Sequence, residues 1–293
     1  MKLAAPTWAA VAPLWMRHAA RNGKRDLASD GDKWRILEAG LADLAITAPP
    51  ASLERILDRL ALERDWSNAT YNRHRSLLSA MFGFAQRKYD FEGSFRVARL
   101  REQTPEPRPL DREEEARLLA ELPLYLARPA RFSLTTGARE SNVTGLRWWD
   151  ARRAPDGTLY PHLNADLDTM HVPAAHSKAG KTLSIPLNAA AQATIAEARD
   201  CTEHGHPELV FTEARAPIVK ASCREWYAAL DRAKIAGFKW HGLRTTWTTR
   251  HVEAGTPIDV LMRLGGWSTA EVLRKHYVSL APDVIARYVD GAR

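Results

Sequence analysis

A proline-rich stretch after the first third of the chain constrains its folding more than any other feature. Pro105, Pro107 and Pro109 fall within the seven residues from 103 to 109 of the 293-residue chain. Proline lacks a backbone N–H donor and fixes φ, so this stretch forms neither a helix interior nor a central strand. Stretches of this kind separate domains. We therefore predict a domain over residues 1–104, a linker over 105–110 and a second domain over 111–293.

The composition suits two globular domains and excludes several other classes of protein. Hydrophobic residues make up 45% of the chain and charged residues 26%, which argues against disorder. No apolar run approaches the roughly 20 residues of a membrane span, so we expect no membrane partner. The two cysteines, Cys201 and Cys223, are too few for a disulfide framework, which predicts a reduced, cytoplasmic protein. The net charge of +7 weakly favours a polyanionic partner.

The first domain is predicted to be helical, because apolar residues recur at three- and four-residue spacing. An apolar stretch from Leu3 to Met16 resembles a signal peptide only faintly, since prolines and tryptophans interrupt it. We interpret it as the first amphipathic helix, with Thr7 as its N-cap. The fourth helix should place Arg73 and Arg75 near the face opposite its apolar stripe. The predicted helices cover residues 7–22, 32–46, 52–63 and 67–87.

The second domain is predicted to be mixed, which makes the chain α+β and mostly helical, with one small β-sheet. Asp111, followed by Glu113 and Glu114, is typical of an N-cap and an acidic first turn. Strands are expected over 169–175 and 181–187, joined by a turn over 176–180. The predicted helices cover residues 112–121, 128–136, 140–147, 189–199, 220–234, 241–254, 257–263 and 268–276.

At two positions in this domain, basic side chains lie where the predicted local structure would let them bind an anion. Arg139 follows the small-residue turn Thr135-Thr136-Gly137-Ala138 and would begin a helix, although an ordinary capping turn explains the pattern as well. His241 and Arg244 are three residues apart, which on a helix places them on one face. A guanidinium binds phosphate through two donors, and an imidazole exchanges protons near neutral pH.

Three further residues are ambiguous when each is considered alone. Lys178 lies in the predicted hairpin turn, where most lysines are simply solvated. Trp267, after two glycines, is either a core residue or an N–H donor to a ligand. Tyr277 suits packing, and as a nucleophile it would need an electrophile held by strong cations. Taken together in chain order, however, the six residues from Arg139 to Tyr277 form a phosphoryl-transfer set that needs no metal or other cofactor.

These residues stand in stretches that resemble the tyrosine recombinases, the phage-type integrase and Xer-like family of the lambda-integrase superfamily. The resemblance is clearest over about 110–293 and extends faintly to residues 68–91. It implies a helical, SAM-like core-binding domain followed by a mixed α/β catalytic domain that clamp double-stranded DNA together. The matching stretches are TTGARESNVTGLRW (135–148), HSKAGKTLSIPLN (176–188), WHGLRTTWTTRHVEAGTPIDVLMRLGGWST (240–269) and LRKHYVSL (273–280).

The resemblance also assigns a role to each residue. Arg139 and Arg244 would bind the non-bridging phosphate oxygens, and Lys178 would protonate the leaving 5′-oxygen. His241 would assist proton transfer at the tyrosine, and Trp267 would bond to or pack against the phosphate. Tyr277 would be the nucleophile that forms a 3′-phosphotyrosyl bond.

The same resemblance implies a site-specific recombinase that acts through a Holliday junction as a homotetramer on DNA. An accessory DNA-bending or directionality factor is a possible further partner, and the expected location is the cytoplasm, at the nucleoid. In the core-binding domain, Arg73 and Arg75 are candidate contacts to the DNA backbone, with a solvated helix face as the alternative. Val284, Ile285 and Tyr288 are at helical spacing and would pack on a neighbouring protomer or on their own domain.

Departures from the family pattern leave two other functions open. Asn142 stands where many relatives have an acidic residue, and Gly242 and Thr245 replace acidic and histidine neighbours of the histidine–arginine pair. The spacing from Trp267 to Tyr277 is one residue longer than usual. A catalytically silent DNA-binding protein is one alternative. A type IB topoisomerase-like DNA relaxer is the other.

Overall fold

The computed structural model describes residues 5–102, 108–200, 206–271 and 273. The chain divides into two compact units, Met1–Pro105 and Glu106–Arg293, and each has its own hydrophobic core. The described residues are mostly helical with two small antiparallel sheets, which confirms the predicted α+β class. None of the helices among them is long and apolar enough to cross a membrane.

The first unit is a bundle of helices whose apolar faces enclose Trp8, Leu37, Leu57 and Leu78. The predicted N-cap is confirmed, because Thr7 Oγ1 accepts a hydrogen bond from the N–H of Ala10 at 3.3 Å. The helices are α1 (Trp8–Arg21), α2 (Leu27–Leu41), α3 (Pro50–Glu63) and α4 (Asn68–Tyr89).

Helix α2 begins five residues before its predicted start at residue 32 and ends before its predicted end at 46. The early turns contain polar residues that interrupt the apolar periodicity. Asp30 is nevertheless buried, because Lys24 and Lys33 bind its carboxylate at 2.5 and 2.9 Å. The two lysines therefore pair the charge of a carboxylate that is buried in turns where hydrophobic spacing predicts no helix.

Beyond α4, residues 97–102 form neither helix nor strand and are attached to α4 by side chains. Asn72 is 2% exposed, and its Nδ2 donates to the carbonyl of Leu100 and to Glu102 Oε1, both at 2.8 Å. Its Oδ1 accepts the N–H of Leu100 at 2.9 Å. The bond from Asn72, together with the one from Arg99, holds the pKa of the Glu102 carboxyl below its usual value.

We expect Asn72→Ala to lower the free energy of unfolding of the full chain by about 1–3 kcal/mol, because it removes the three hydrogen bonds by which a buried side chain holds residues 100–102 on α4. Asn68→Ala is the matched control, since exposed Asn68 donates a single bond to the carbonyl of Arg101 at 2.8 Å. That control should lose about 1 kcal/mol or less. Urea unfolding followed by circular dichroism measures both, and equal losses would contradict the assigned role of Asn72.

The second unit is organised around helix α6 (Leu124–Thr136), which packs against both α8 (Ala189–Asp200) and α10 (His241–Glu253). The first helix of this unit begins with a capping box. The Asp111 carboxylate accepts a hydrogen bond from the backbone N–H of Glu114 at 2.7 Å, and the Glu114 carboxylate accepts one from the backbone N–H of Asp111 at 3.3 Å. The N-cap predicted at Asp111 is thus confirmed. The helices are α5 (Arg112–Glu121), α6 (Leu124–Thr136), α7 (Glu140–Thr144), α8 (Ala189–Asp200), α9 (Arg224–Arg232), α10 (His241–Glu253) and α11 (Ile258–Gly265).

A three-stranded antiparallel sheet, in the order β1-β2-β3, covers one side of this core, with Met170 paired to Ile185. The hairpin expected at 169–187 is present. Its first strand ends at Val172, before the predicted residue 175, because residues 174–176 form a turn of 3-10 helix. Its second strand covers Leu183–Pro186, within the predicted range 181–187. The strands are β1 (His162–Leu163), β2 (Thr169–Val172), β3 (Leu183–Pro186), β4 (Thr212–Glu213) and β5 (Ala216–Pro217).

Helix α7 ends at Thr144 although the apolar pattern predicts helix to residue 147. The reason is long-range hydrogen bonding. The carbonyl of Leu146 accepts the N–H of Val210 at 2.9 Å, and the N–H of Arg147 donates to the carbonyl of Pro161 at the same distance. These bonds use the backbone groups that a longer helix would need.

Candidate functional site

A cleft of about 400 Å³ in the second unit collects three of the predicted site residues. Its walls come from the turn and first residues of α7, from the loop before α9 and from the start of α10. Arg139, His241 and Arg244 all line it, together with Lys220. The cleft therefore brings several basic side chains from separate elements to one concave surface.

Arg139 reaches the cleft from the turn between α6 and α7. Gly137 ends α6 in the left-handed region at φ +65°, and Arg139 is the extended N-cap residue of α7. Thr136 Oγ1 donates to the carbonyl of Phe132 at 2.6 Å and so holds the last turn of α6. Because α7 has only five residues, an anion bound at this corner would be held by side chains and not by a helix dipole.

Gly137 also permits a close approach between α6 and α10. A Cβ atom at Gly137 would lie 2.3 Å from Cε3 of Trp247, so no larger residue fits against the indole. Trp247 is buried and lies edge-on to His251, with ring centroids 4.6 Å apart. Burial lowers the pKa of His251, which keeps its imidazole neutral at pH 7.

Arg244 is the most buried of the basic side chains in the cleft, at 3% exposure. Its Nη1 donates to the carbonyl of Gly137 at 2.7 Å, and its Nη2 donates to the carbonyl of Gly265 at 2.6 Å. Both carbonyls belong to helix ends, one at α6 and one at α11. The guanidinium therefore joins two helix termini and has a fixed position on the floor of the cleft.

Trp267 contacts this guanidinium from the side of α11. The Arg244 Cζ atom lies 4.0 Å from the centroid of the Trp267 ring, a cation–π geometry. The ring is nearly parallel to that of Trp247, at 17° and 6.3 Å between centroids. Trp267 is half-buried, so it packs on Arg244 and keeps part of its indole exposed.

His241 is the first residue of α10 and is exposed at the mouth of the cleft. The prediction that His241 and Arg244 share one helix face is confirmed, since both line the cleft. Gly242 between them is explained by packing, because a Cβ there would lie 2.3 Å from the ring of Phe238. A larger residue at position 242 would therefore require Phe238 to move.

Lys178 is exposed in the turn between β2 and β3 and is not among the residues that line the cleft. Its hairpin is nonetheless attached to the same region, since β3 packs against α11. A Cβ at Gly266, beside Trp267, would lie 3.0 Å from Cδ2 of Leu183 in β3. The structure thus places the base of the hairpin next to Trp267 and leaves Lys178 at its exposed tip.

Tyr277 and the tail residues 284–288 lie outside the described residues, as does most of the helix predicted over 268–276. Leu273 is the last described residue and is 1% exposed. It packs in a cluster with Trp247 and Leu261.

Residues 110–283 match the sequence profile of the Phage integrase family. The chain belongs to that family. The match covers the cleft and every residue that lines it, and it confirms the resemblance to tyrosine recombinases.

This phage integrase family member is also similar to individual proteins. It is 28% identical to the integrase of Salmonella phage P22 over 242 residues, which are 76% of this chain and 58% of that protein. The chain therefore spans 58% of the length of this curated relative.

Two solved structures share the fold at 16% identity. One is lambda integrase (residues 75–356), a dimer bound to a COC′ core site, with a TM-score of 0.73 and coverage of 94% of this chain and 97% of that one. The other is the Tn1549 transposon integrase in complex with transposon right end DNA, with a TM-score of 0.71 and coverage of 96% and 98%.

The two arginines predicted for the first unit of this integrase family member have different surroundings. Arg75 Nε donates to the carbonyl of Val97 at 2.9 Å, and its guanidinium lies 5.2 Å from the centroid of the Phe95 ring. Arg75 therefore holds the segment after α4 in place. Arg73 is exposed on the same helix, and its contact with the DNA backbone stays a prediction.

Two charged residues that line the cleft, Glu140 and Lys220, were not predicted as site residues from the sequence. Glu140 binds the loop before α9, since its carboxylate accepts the N–H of Ser222 at 2.7 Å and the Ser222 hydroxyl at 3.2 Å. Lys220 lies in that loop, 81 positions after Arg139 in the chain. Glu140 follows Arg139 in the matching stretch 135–148, but no motif contains Lys220, and only the packing of the loop against α7 shows what Glu140 binds.

Proposed function

We propose that this chain is a site-specific DNA recombinase that cleaves and rejoins strands through a 3′-phosphotyrosyl intermediate on Tyr277. The observation that carries the proposal is the buried guanidinium of Arg244, fixed by two carbonyls at the floor of a cleft shared with Arg139 and His241. Rigid cations aimed at one point stabilise the charge of a pentacoordinate phosphate without reorganisation. On a surface that is only solvated, a guanidinium such as that of Arg244 would not need to be buried or held in one position.

In the proposed cleavage step, each site residue has one chemical role. Arg139 and Arg244 bind the non-bridging oxygens while Tyr277 Oη attacks phosphorus and gives up its proton with the help of His241. The P–O5′ bond breaks, and Lys178 gives a proton to the leaving 5′-oxygen. Trp267 holds the guanidinium plane of Arg244 in place. Attack by a 5′-hydroxyl reverses these steps and rejoins the strand, so phosphodiester energy is conserved and no metal or ATP is consumed.

Exchange between two duplexes needs cleavage of paired strands, which we propose occurs in a homotetramer through a Holliday junction. The first unit would act as the core-binding domain, with Arg73 on the DNA backbone, and the second as the catalytic domain. A DNA-bending or directionality factor is a further proposed partner, and the place of action would be the nucleoid. The DNA-bound relatives named above support the DNA partner.

Tyr277→Phe should reduce covalent complex formation on a nicked suicide substrate by at least about a thousandfold, because it removes the nucleophile. The substrate would carry DNA that flanks the gene, and the complex would be detected on a denaturing gel in the presence of EDTA. Tyr227→Phe is the matched control, since Tyr227 is 46% exposed on α9 and loses the same hydroxyl. That control should cleave like the wild type.

Other outcomes would replace the proposal with a specific alternative. Tight, salt-sensitive DNA binding without a covalent band would identify a silent DNA-binding clamp. Relaxation of unrelated supercoiled plasmids would identify a topoisomerase-like relaxer. A covalent band that survives in Tyr277→Phe would show that another residue is the nucleophile.

A further inference from the structure

The loop before α9 presents two neighbouring side chains at the rim of the cleft. Val219 is 95% exposed and Lys220 is exposed beside it, and both line the cleft with Arg139 and Arg244. An aliphatic side chain that is almost entirely in water lacks any packing function in its own unit. We call these two residues the Val219–Lys220 tip.

The backbone of this tip is held rigidly on both sides. Ile218 before it is 6% exposed, and Ala221 after it is fully buried. Ser222 then bonds to the carboxylate of Glu140 through both its N–H and its hydroxyl, at 2.7 and 3.2 Å. The tip is therefore a short, anchored projection whose side chains point to the outside, and its attachment point is the residue next to Arg139.

The charge of Lys220 forms no ion pair with the residues that the structure describes. Glu140, which supplies a carboxylate to the same cleft, accepts two hydrogen bonds from Ser222. A lysine ammonium is a compact point charge suited to a phosphate oxygen. The neighbouring valine matches the apolar face of a deoxyribose.

We propose that the Val219–Lys220 tip binds one sugar–phosphate unit of the DNA strand that enters the cleft, with Lys220 on the phosphate. Lys220 then acts as a positioning residue that sets the register of the strand, distinct from a proton donor. This inference rests on the proposed function, because it takes the cleft to be the place of strand cleavage.

Lys220→Asn tests the proposal, and Lys234→Asn is its matched control. Lys234 lies beyond the opposite end of α9, is exposed, and has φ +59°, a conformation that asparagine tolerates. We expect Lys220→Asn to slow covalent complex formation about tenfold to a hundredfold, the loss of one charge-assisted contact, while Lys234→Asn cleaves like the wild type. Equal rates for all three proteins, or equal losses in both variants, would overturn the proposal.

A substrate with sulfur in place of the bridging 5′-oxygen separates positioning from proton transfer. A thiol, with a pKa of roughly 8.5, leaves without a general acid. The defect of Lys220→Asn should persist on this substrate, whereas that of Lys178→Ala should largely disappear. Relief of the Lys220→Asn defect would make Lys220 a proton donor and overturn the positioning role.

Failure of the proposed function would be distinguishable from failure of this inference. If the wild type forms no covalent complex, DNA binding at several salt concentrations still tests the tip. Lys220→Asn should reduce the slope of log K against log salt by about one unit and Lys234→Asn should not. An unchanged slope, or equal changes in both variants, would show that Lys220 contacts no phosphate.

Discussion

Arg244→Lys should lower the rate of covalent DNA cleavage by about a hundredfold to a thousandfold, the cost of removing a fixed donor from a charged transition state. A lysine keeps the positive charge but not the planar fork of donors. In this protein the fork does two things at once, since Nη1 and Nη2 also donate to Gly137 and Gly265. A single ammonium does not reach both carbonyls and a phosphate.

The same substitution should lower the free energy of unfolding by about 1–3 kcal/mol, because at least one buried carbonyl is left unpaired. The cleavage rate is therefore compared at equal folded fraction, measured by urea unfolding of each protein. Arg117→Lys is the control, since exposed Arg117 also donates to a carbonyl, that of Ala233 at 3.2 Å, away from the cleft. Cleavage by Arg244→Lys within twofold of the wild type would refute the assigned role.

Gly137→Ala should destabilise the second unit by about 2–5 kcal/mol, which combines a left-handed backbone penalty with overpacking against Trp247. The methyl group would lie 2.3 Å from the indole at a residue with φ +65°. The shift needed to relieve this contact also moves the carbonyl that binds Arg244. We therefore expect the cleavage rate of the folded fraction to fall together with stability.

Gly157→Ala isolates the backbone contribution to this effect. Gly157 has φ +85°, but a Cβ there meets nothing within 4 Å. This control should lose only about 1–2 kcal/mol and keep full cleavage activity. Equal urea midpoints for the two variants would mean that Trp247 moves aside at little cost and that the close approach of α6 to α10 does not contribute to stability.

The agreement between sequence and structure is best where the determinants are local. The N-caps at Thr7 and Asp111 depend on bonds to residues three positions away, and both are present. The shared face of His241 and Arg244 follows from helical geometry alone. The turn that presents Arg139 follows from a glycine that adopts φ +65°.

The disagreements occur where distant segments compete for the same backbone groups. Helix α7 stops at Thr144 because Leu146 and Arg147 bond to residues 210 and 161. Helix α2 begins five residues early, and its first turns bury Asp30, whose carboxylate is bound by two lysines. Neither effect is visible in local hydrophobic spacing, since each depends on a partner that only the folded chain brings near.

The sequence by itself determined the family, the mostly helical α+β class and three of the basic residues in the cleft, Arg139, His241 and Arg244. Those features depend on residue type and short spacing. Only the tertiary structure decided that Arg244 is buried between the ends of α6 and α11, that Trp267 covers its guanidinium, and that Glu140 fixes the loop carrying Lys220. These arrangements join residues 21 to 107 positions apart, and hydrogen bonds over such separations arise from packing, which no local pattern encodes.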